Sequence, residues 1–100
     1  MRRVIDQPQA CDMGSGFGHI EIEENTTLEE ALKWIQKNAK TWGVITIYRK
    51  NNSILRCFDY DLYNNTVFYH HLNGWNYKQV VKKVTFDYCF MGEDIDIYIQ

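Results

Sequence analysis

The spacing of apolar and polar residues changes period several times along the chain, and each change marks an element. Over 26–40, Leu28, Ala31, Leu32, Ile35 and Ala39 recur three and four residues apart, which places them on one stripe of an α-helix. Thr27 followed by Glu30 is a capping box. Glu29 and Glu30 put acid in the first turn, and Glu29 stands four residues before Lys33, the favourable order for an ion pair. Elsewhere the period falls to two. HIEIEE (19–24) alternates, and Ile95, Ile97 and Ile99 alternate with Asp96, Tyr98 and Gln100 over 95–100; both predict half-buried strands.

Three segments rich in β-branched and aromatic residues lie between these: GVITIYRK (43–50), SILRCFDYDLY (53–63) and TVFYHHL (66–72). Asn51-Asn52 and Asn64-Asn65 separate them. Asparagine tolerates positive φ, so each pair predicts a two-residue hairpin loop. That register sets Ile45 opposite Phe58, Ile47 opposite Arg56, Leu62 opposite Val67, Tyr60 opposite Tyr69 and Asp59 opposite His70. Residues 76–84 read as a second helix, capped by Asn76, with Tyr77, Val80, Val81 and Val84 on one face. TFDYCFM (85–91) and a turn at Gly92-Glu93-Asp94 lead into the last strand. Residues 1–18 hold Pro8 and three of the six glycines and show no sustained period; they read as a flexible N-terminal segment, with Val4 and Ile5 as a short edge strand. The fold expected for 19–100 is a single α+β domain, an antiparallel β-meander with two short helices packed on one face, in the order β-α-β-β-β-α-β-β.

The hairpin register sorts the meander into two faces. One carries Ile45, Ile47, Ile54, Phe58, Tyr60, Leu62, Val67 and Tyr69 and forms the expected core. The other carries Tyr48, Leu55, Phe68 and Leu72 among polar residues, too apolar for a plain solvated surface. Two helices on one side leave this face open, so Tyr48, Leu55, Phe68 and Leu72 are the candidate contact residues for a protein partner or a second copy of the chain.

Composition narrows the remaining chemistry. The chain is 45% hydrophobic, 15% aromatic and 24% charged, a globular balance, and its formal charge of −2 carries no basic block. The electrostatic drive for non-specific nucleic-acid binding is therefore weak overall. A local patch of Lys78, Lys82 and Lys83 beside Trp75 keeps nucleic acid as the alternative partner. Cys11, Cys57 and Cys89 are odd in number and widely spaced, which argues against a disulfide framework or a structural zinc site and for reduced thiols in the cytoplasm. No cofactor motif is present. Arg2-Arg3 is not followed by an apolar stretch, so a signal peptide is not expected, and no segment reaches the length of a membrane span.

Three clusters carry residue types suited to chemistry. Asp59, Asp61 and His70 share the open face in the predicted register; a carboxylate beside an imidazole orients it for acid–base or metal work, but a cross-strand charged pair is the plainer reading. Gly14, Gly16 and Gly18 precede a strand, whereas a phosphate-cradling glycine loop follows one. His70 and His71 are neighbours in a strand and point to opposite faces, so they cannot chelate one ion together. The order helix, three strands, helix across 27–84 resembles the double-stranded-RNA-binding module in element order only. The second helix here starts Asn76-Tyr77-Lys78 rather than lysine-rich, and Lys50 is the only charge beside the Asn-Asn turns. The sequence thus favours a non-enzymatic interaction protein over a nucleic-acid binder or a small enzyme.

Overall fold

The computed structural model describes residues 1–8, 15–38, 42–60, 74–89 and 92–100. Along them run β1 (Arg2–Pro8), β2 (Gly16–Glu21), α1 (Leu28–Asn38), β3 (Gly43–Tyr48), β4 (Ile54–Tyr60), α2 (Gly74–Tyr77), β5 (Val81–Cys89) and β6 (Gly92–Ile99). The strands form one sheet in the order β1-β2-β5-β6-β3-β4. The expected α+β class holds, but the sheet is mixed, because β3 and β6 run parallel. Both strands alternate isoleucine with polar residues, and Ile45, Ile47, Ile95 and Ile97 lie side by side and fully buried. Alternation fixes which face a strand buries, not its neighbour or direction. The chain between β3 and β6 includes β4, α2 and β5, ample for the long crossover that a parallel pair requires.

Helix α1 forms as its sequence directs. The Thr27 hydroxyl accepts the Glu30 N–H at 3.2 Å and donates to the Glu30 carboxylate at 3.0 Å. Leu28, Ala31, Leu32 and Ile35 are buried against the sheet, and Lys33 pairs with Glu29 at 3.1 Å. Ala39 lies outside the described residues. The sheet side of this core is built from Ile20, Ile45, Ile47, Phe58, Tyr60, Val81, Val84, Phe86 and the three isoleucines of β6.

The second helix expected over 76–84 is not formed. α2 spans only Gly74–Tyr77, and Val81 and Val84 belong to β5. The cause is a β-bulge. Val81 faces Ile99 and Lys83 faces Tyr98, which leaves Lys82 as the extra residue. The bulge turns Val81 and Val84 to the same side of a strand although they stand three apart, a spacing that otherwise signals a helix. The β-branched run Val80-Val81…Val84-Thr85 suits a strand better than a helix. The element-order likeness to the RNA-binding module therefore ends at this position. The turn expected at Gly92-Glu93-Asp94 is not formed there: those residues open β6, and Gly92 already pairs with Cys89.

A second bulge corrects the first hairpin. The loop is 50–52, not Asn51-Asn52 alone: the Arg49 N–H donates to the Ser53 carbonyl and the Asn52 N–H to the Arg49 carbonyl, each at 2.8 Å, and Asn52 alone takes the left-handed conformation, at φ 68°. Tyr48 therefore faces Ile54, and the register slips before Ile47 meets Arg56 and Ile45 meets Phe58 as expected. Ile54, expected in the core, is 55% exposed, while Leu55, expected on the open face, packs against the core. The second hairpin, with Tyr69 and His70, lies outside the described residues.

The short edge strand expected at Val4 and Ile5 forms and is longer than expected: residues 2–8, otherwise read from the sequence as flexible, make β1 on the outer edge of β2. Arg3 fastens this strand. Gly18 of β2 leaves room for the Phe86 ring, which an added Cβ would strike along with the Val4 carbonyl, and onto that ring comes the Arg3 guanidinium. It lies 4.2 Å from the Phe86 ring centre and pairs with Glu93 at 2.5 Å. Glu93 is almost fully buried, and its carboxylate also accepts the Tyr60 hydroxyl at 2.7 Å. The second carboxylate interaction satisfies a charge that would be expensive to bury alone. Gly16 and Gly18 thus serve strand β2 rather than a phosphate loop.

Candidate interaction surface

α1 covers one face of the sheet. Among the described residues no element covers the other. The cross-strand register defines its centre. One row runs Asp59, Val44, Asp94, Asp87 and Phe17; the next runs Cys57, Thr46, Asp96, Thr85 and His19; a third joins Tyr48, Tyr98 and Lys83. Asp87 and Asp94 are direct cross-strand partners, a pairing of like charges that costs stability. Asp96 stands one pleat further along the same face. Burial first, then the Asp87 and Asp94 carboxylates, hold Asp96 above the ordinary carboxylate range. No cation lies within ion-pair distance of Asp59, Asp87, Asp94 or Asp96 among the described residues.

Aromatic rings border this acidic centre. Tyr48 and Tyr98 stack with ring centres 4.9 Å apart and planes 12° from parallel. The Lys83 ammonium sits 4.6 Å from the Tyr98 ring centre. The Asp96 carboxylate, more than burial, pushes the Tyr48 phenol upward, so the hydroxyl stays protonated and able to donate. On the far side Phe17 is exposed, and His19 Nδ1 meets the Asp6 carboxylate at 2.6 Å.

Of the expected contact residues, Tyr48 stands on this surface, Leu55 has turned to the core, and Phe68 and Leu72 lie outside the described residues. Asp59 is exposed at the edge of the acidic row; Asp61 and His70 lie outside the described residues. The acid–imidazole pair that the structure does bring together is Asp6 with His19. The bulge between Ile5 and Gln7 accompanies it. Asp6 fell in the segment read as a tail, and alternation in 19–24 gave His19 no partner. Asp87, Asp94 and Asp96 were also missed: their charge rows appear only once β5 and β6 are paired. No grouping of three or more His, Cys, Asp or Glu suited to a metal ion occurs among the described residues.

Trp75, Lys78, Lys82 and Lys83 are all exposed, but not on one helix face. Trp75 belongs to α2, Lys78 to the turn after it, Lys82 to the bulge and Lys83 to the open face. No helix of the described residues is long and apolar enough to cross a membrane. No protein-family model, curated protein or solved structure matches the chain.

Proposed function

We propose that the chain is a small non-enzymatic interaction protein whose open sheet face takes up a basic, arginine- or lysine-rich segment of another protein. The observation that carries this reading is the direct facing of Asp87 and Asp94, with Asp96 beside them and no cation paired to any of the three among the described residues. A sheet that keeps a destabilising charge row gives up stability that a complementary partner returns. The stacked Tyr48 and Tyr98 rings flank the row and suit a guanidinium or a lysine stem. A second copy of the chain fits this face poorly, because apposition would bring two acidic rows together.

The test is a backbone NMR titration with a short arginine–glycine peptide at physiological salt. The amides of Thr46, Tyr48, Asp94, Asp96 and Tyr98 are expected to shift together, and Asp94→Asn with Asp96→Asn to weaken binding by about tenfold or more, in keeping with loss of close interfacial charge pairs. Shifts centred on Glu23, Glu24, Glu29 and Glu30, or binding unchanged in the double variant, would overturn the reading.

A further inference from the structure

A different part of the molecule gathers basic side chains. At the end of the sheet where loop 50–52 meets α2 and the end of β6, two cavities of about 630 and 770 Å³ share Arg49, Lys50, Ile99 and Gln100. The smaller is walled in part by Glu23 and Glu24. The larger is lined by no acidic side chain; Leu55 and Ile99 give it apolar surface, and Trp75 and Gln79 complete it. Its volume falls in the range of small-molecule sites.

Three features of the larger cavity converge on one ligand chemistry. Trp75 is 71% exposed, a large indole face left in water. Arg49 is held in position by donating to the Ser53 hydroxyl at 3.3 Å and the Ile54 carbonyl at 2.8 Å, which engage one of its nitrogens and leave other N–H groups for a ligand. Lys50 has no carboxylate within ion-pair distance among the described residues, and Lys78, one turn from Trp75, adds positive charge nearby. A flat ring to cover the indole and an anion for Arg49 and Lys50 are the two halves of a nucleotide.

We infer that this cavity binds a nucleotide unit, its base stacked on Trp75 and its phosphate held by Arg49 and Lys50, supplied either as a free nucleotide or as one residue of a single strand. The Gln79 side-chain amide offers both a donor and an acceptor to the edge of the base. The inference is independent of the acidic face, which carries none of these residues.

The experiment follows the Trp75 indole N–H signal by NMR and affinity by calorimetry at low salt, with ATP, tripolyphosphate, adenosine, thymidine monophosphate and a thymidine decanucleotide as probes. ATP is expected to move the Trp75 signal and to bind more tightly than tripolyphosphate or adenosine. Trp75→Ala is expected to weaken binding by about tenfold, the scale of one lost base–aromatic stack, with Trp75→Phe between the two. Arg49→Gln is expected to weaken binding and flatten its salt dependence. Tighter binding of the decanucleotide than of the monophosphate identifies a single strand as the source; equal affinity identifies the free nucleotide. An unmoved Trp75 signal at millimolar ATP, or tripolyphosphate and ATP binding alike with Trp75→Ala without effect, would overturn the inference. Trp75 is exposed and Arg49 sits in a surface turn, so both variants are expected to fold; circular dichroism checks this.

Discussion

Arg3 and Glu93 stand ninety residues apart in sequence and tie the edge strand β1 to the interior strand β6. Removing only the cation should expose how much depends on the pair: Arg3→Met leaves Glu93 buried with Tyr60 as its remaining partner and should destabilise the fold by about 3–5 kcal/mol, measured by urea denaturation at neutral pH. Tyr60 adds a pH signature. Burial first, and then its bond to Glu93, push its phenol well above the ordinary value of 10.0. The folded protein therefore keeps a proton that the unfolded chain releases, so stability falls as pH rises through and beyond about 10. Tyr60→Phe should weaken the fold by roughly 1.5–3 kcal/mol at neutral pH through the lost hydrogen bond to a charged group, and should flatten the alkaline decline. Asp96 has a raised value as well, with the same sign in a lower window. Stability contributed by its protonated form is present at acid pH and is lost as pH rises from the ordinary carboxylate value through the raised one. Asp96→Asn should stabilise the protein at neutral pH by about 0.2–1 kcal/mol, the scale of a like-charge contact on a sheet, and scanning calorimetry across that window should show a shallower slope.

Bulges decide the elements that periodicity misread. Val81 and Val84 satisfy a helical spacing, and they satisfy a strand just as well once Lys82 is extruded. Deleting Lys82 should force Val81 or Val84 out of the core, costing roughly 1.5–3 kcal/mol for the lost burial, visible as a lower denaturation midpoint with an unchanged slope. α1 was legible over Leu28–Asn38 because the signals that define it are local: the cap, the apolar stripe and the Glu29–Lys33 pair. The inward isoleucines of β3 and β6 were legible for the same reason, whereas buried Glu93 reads in the sequence as part of a turn. The parallel joining of those two strands was not, since equal rows of isoleucine suit either direction. The first hairpin was legible two pairs beyond its turn, at Ile45 with Phe58 and Ile47 with Arg56, but not at the turn itself, where a three-residue loop and a compensating bulge exchanged Ile54 and Leu55. Asp59 was legible on the open face, but the rest of the acidic row was not, because Asp87 and Asp94 become neighbours only through the pairing of β5 with β6, and Asp94 reads in the sequence as part of a turn.

At the scale of the whole molecule, charge is sorted by place. The open face gathers Asp59, Asp87, Asp94 and Asp96, with Lys83 at its border, while Arg49 and Lys50 line the larger cavity at the end of the sheet, where no acidic side chain joins them among the described residues, so a net charge of −2 conceals an uneven distribution. This arrangement makes a statement about self-association. Two open faces brought together would confront like carboxylates, while the rings of Tyr48 and Tyr98 and the exposed Phe17 and Ile54 would favour contact. At neutral pH repulsion should prevail, and sedimentation should give a monomer at high protein concentration. Replacing Asp87, Asp94 and Asp96 together with asparagine removes the opposing term and keeps the apolar contacts, so the triple variant should dimerise where the parent does not. Tyr48→Lys introduced into that variant should return it to a monomer. A parent protein that is already a dimer at neutral pH, and that Tyr48→Lys splits, would mean that the face meets its own copy, and the case for a basic partner would fall with it.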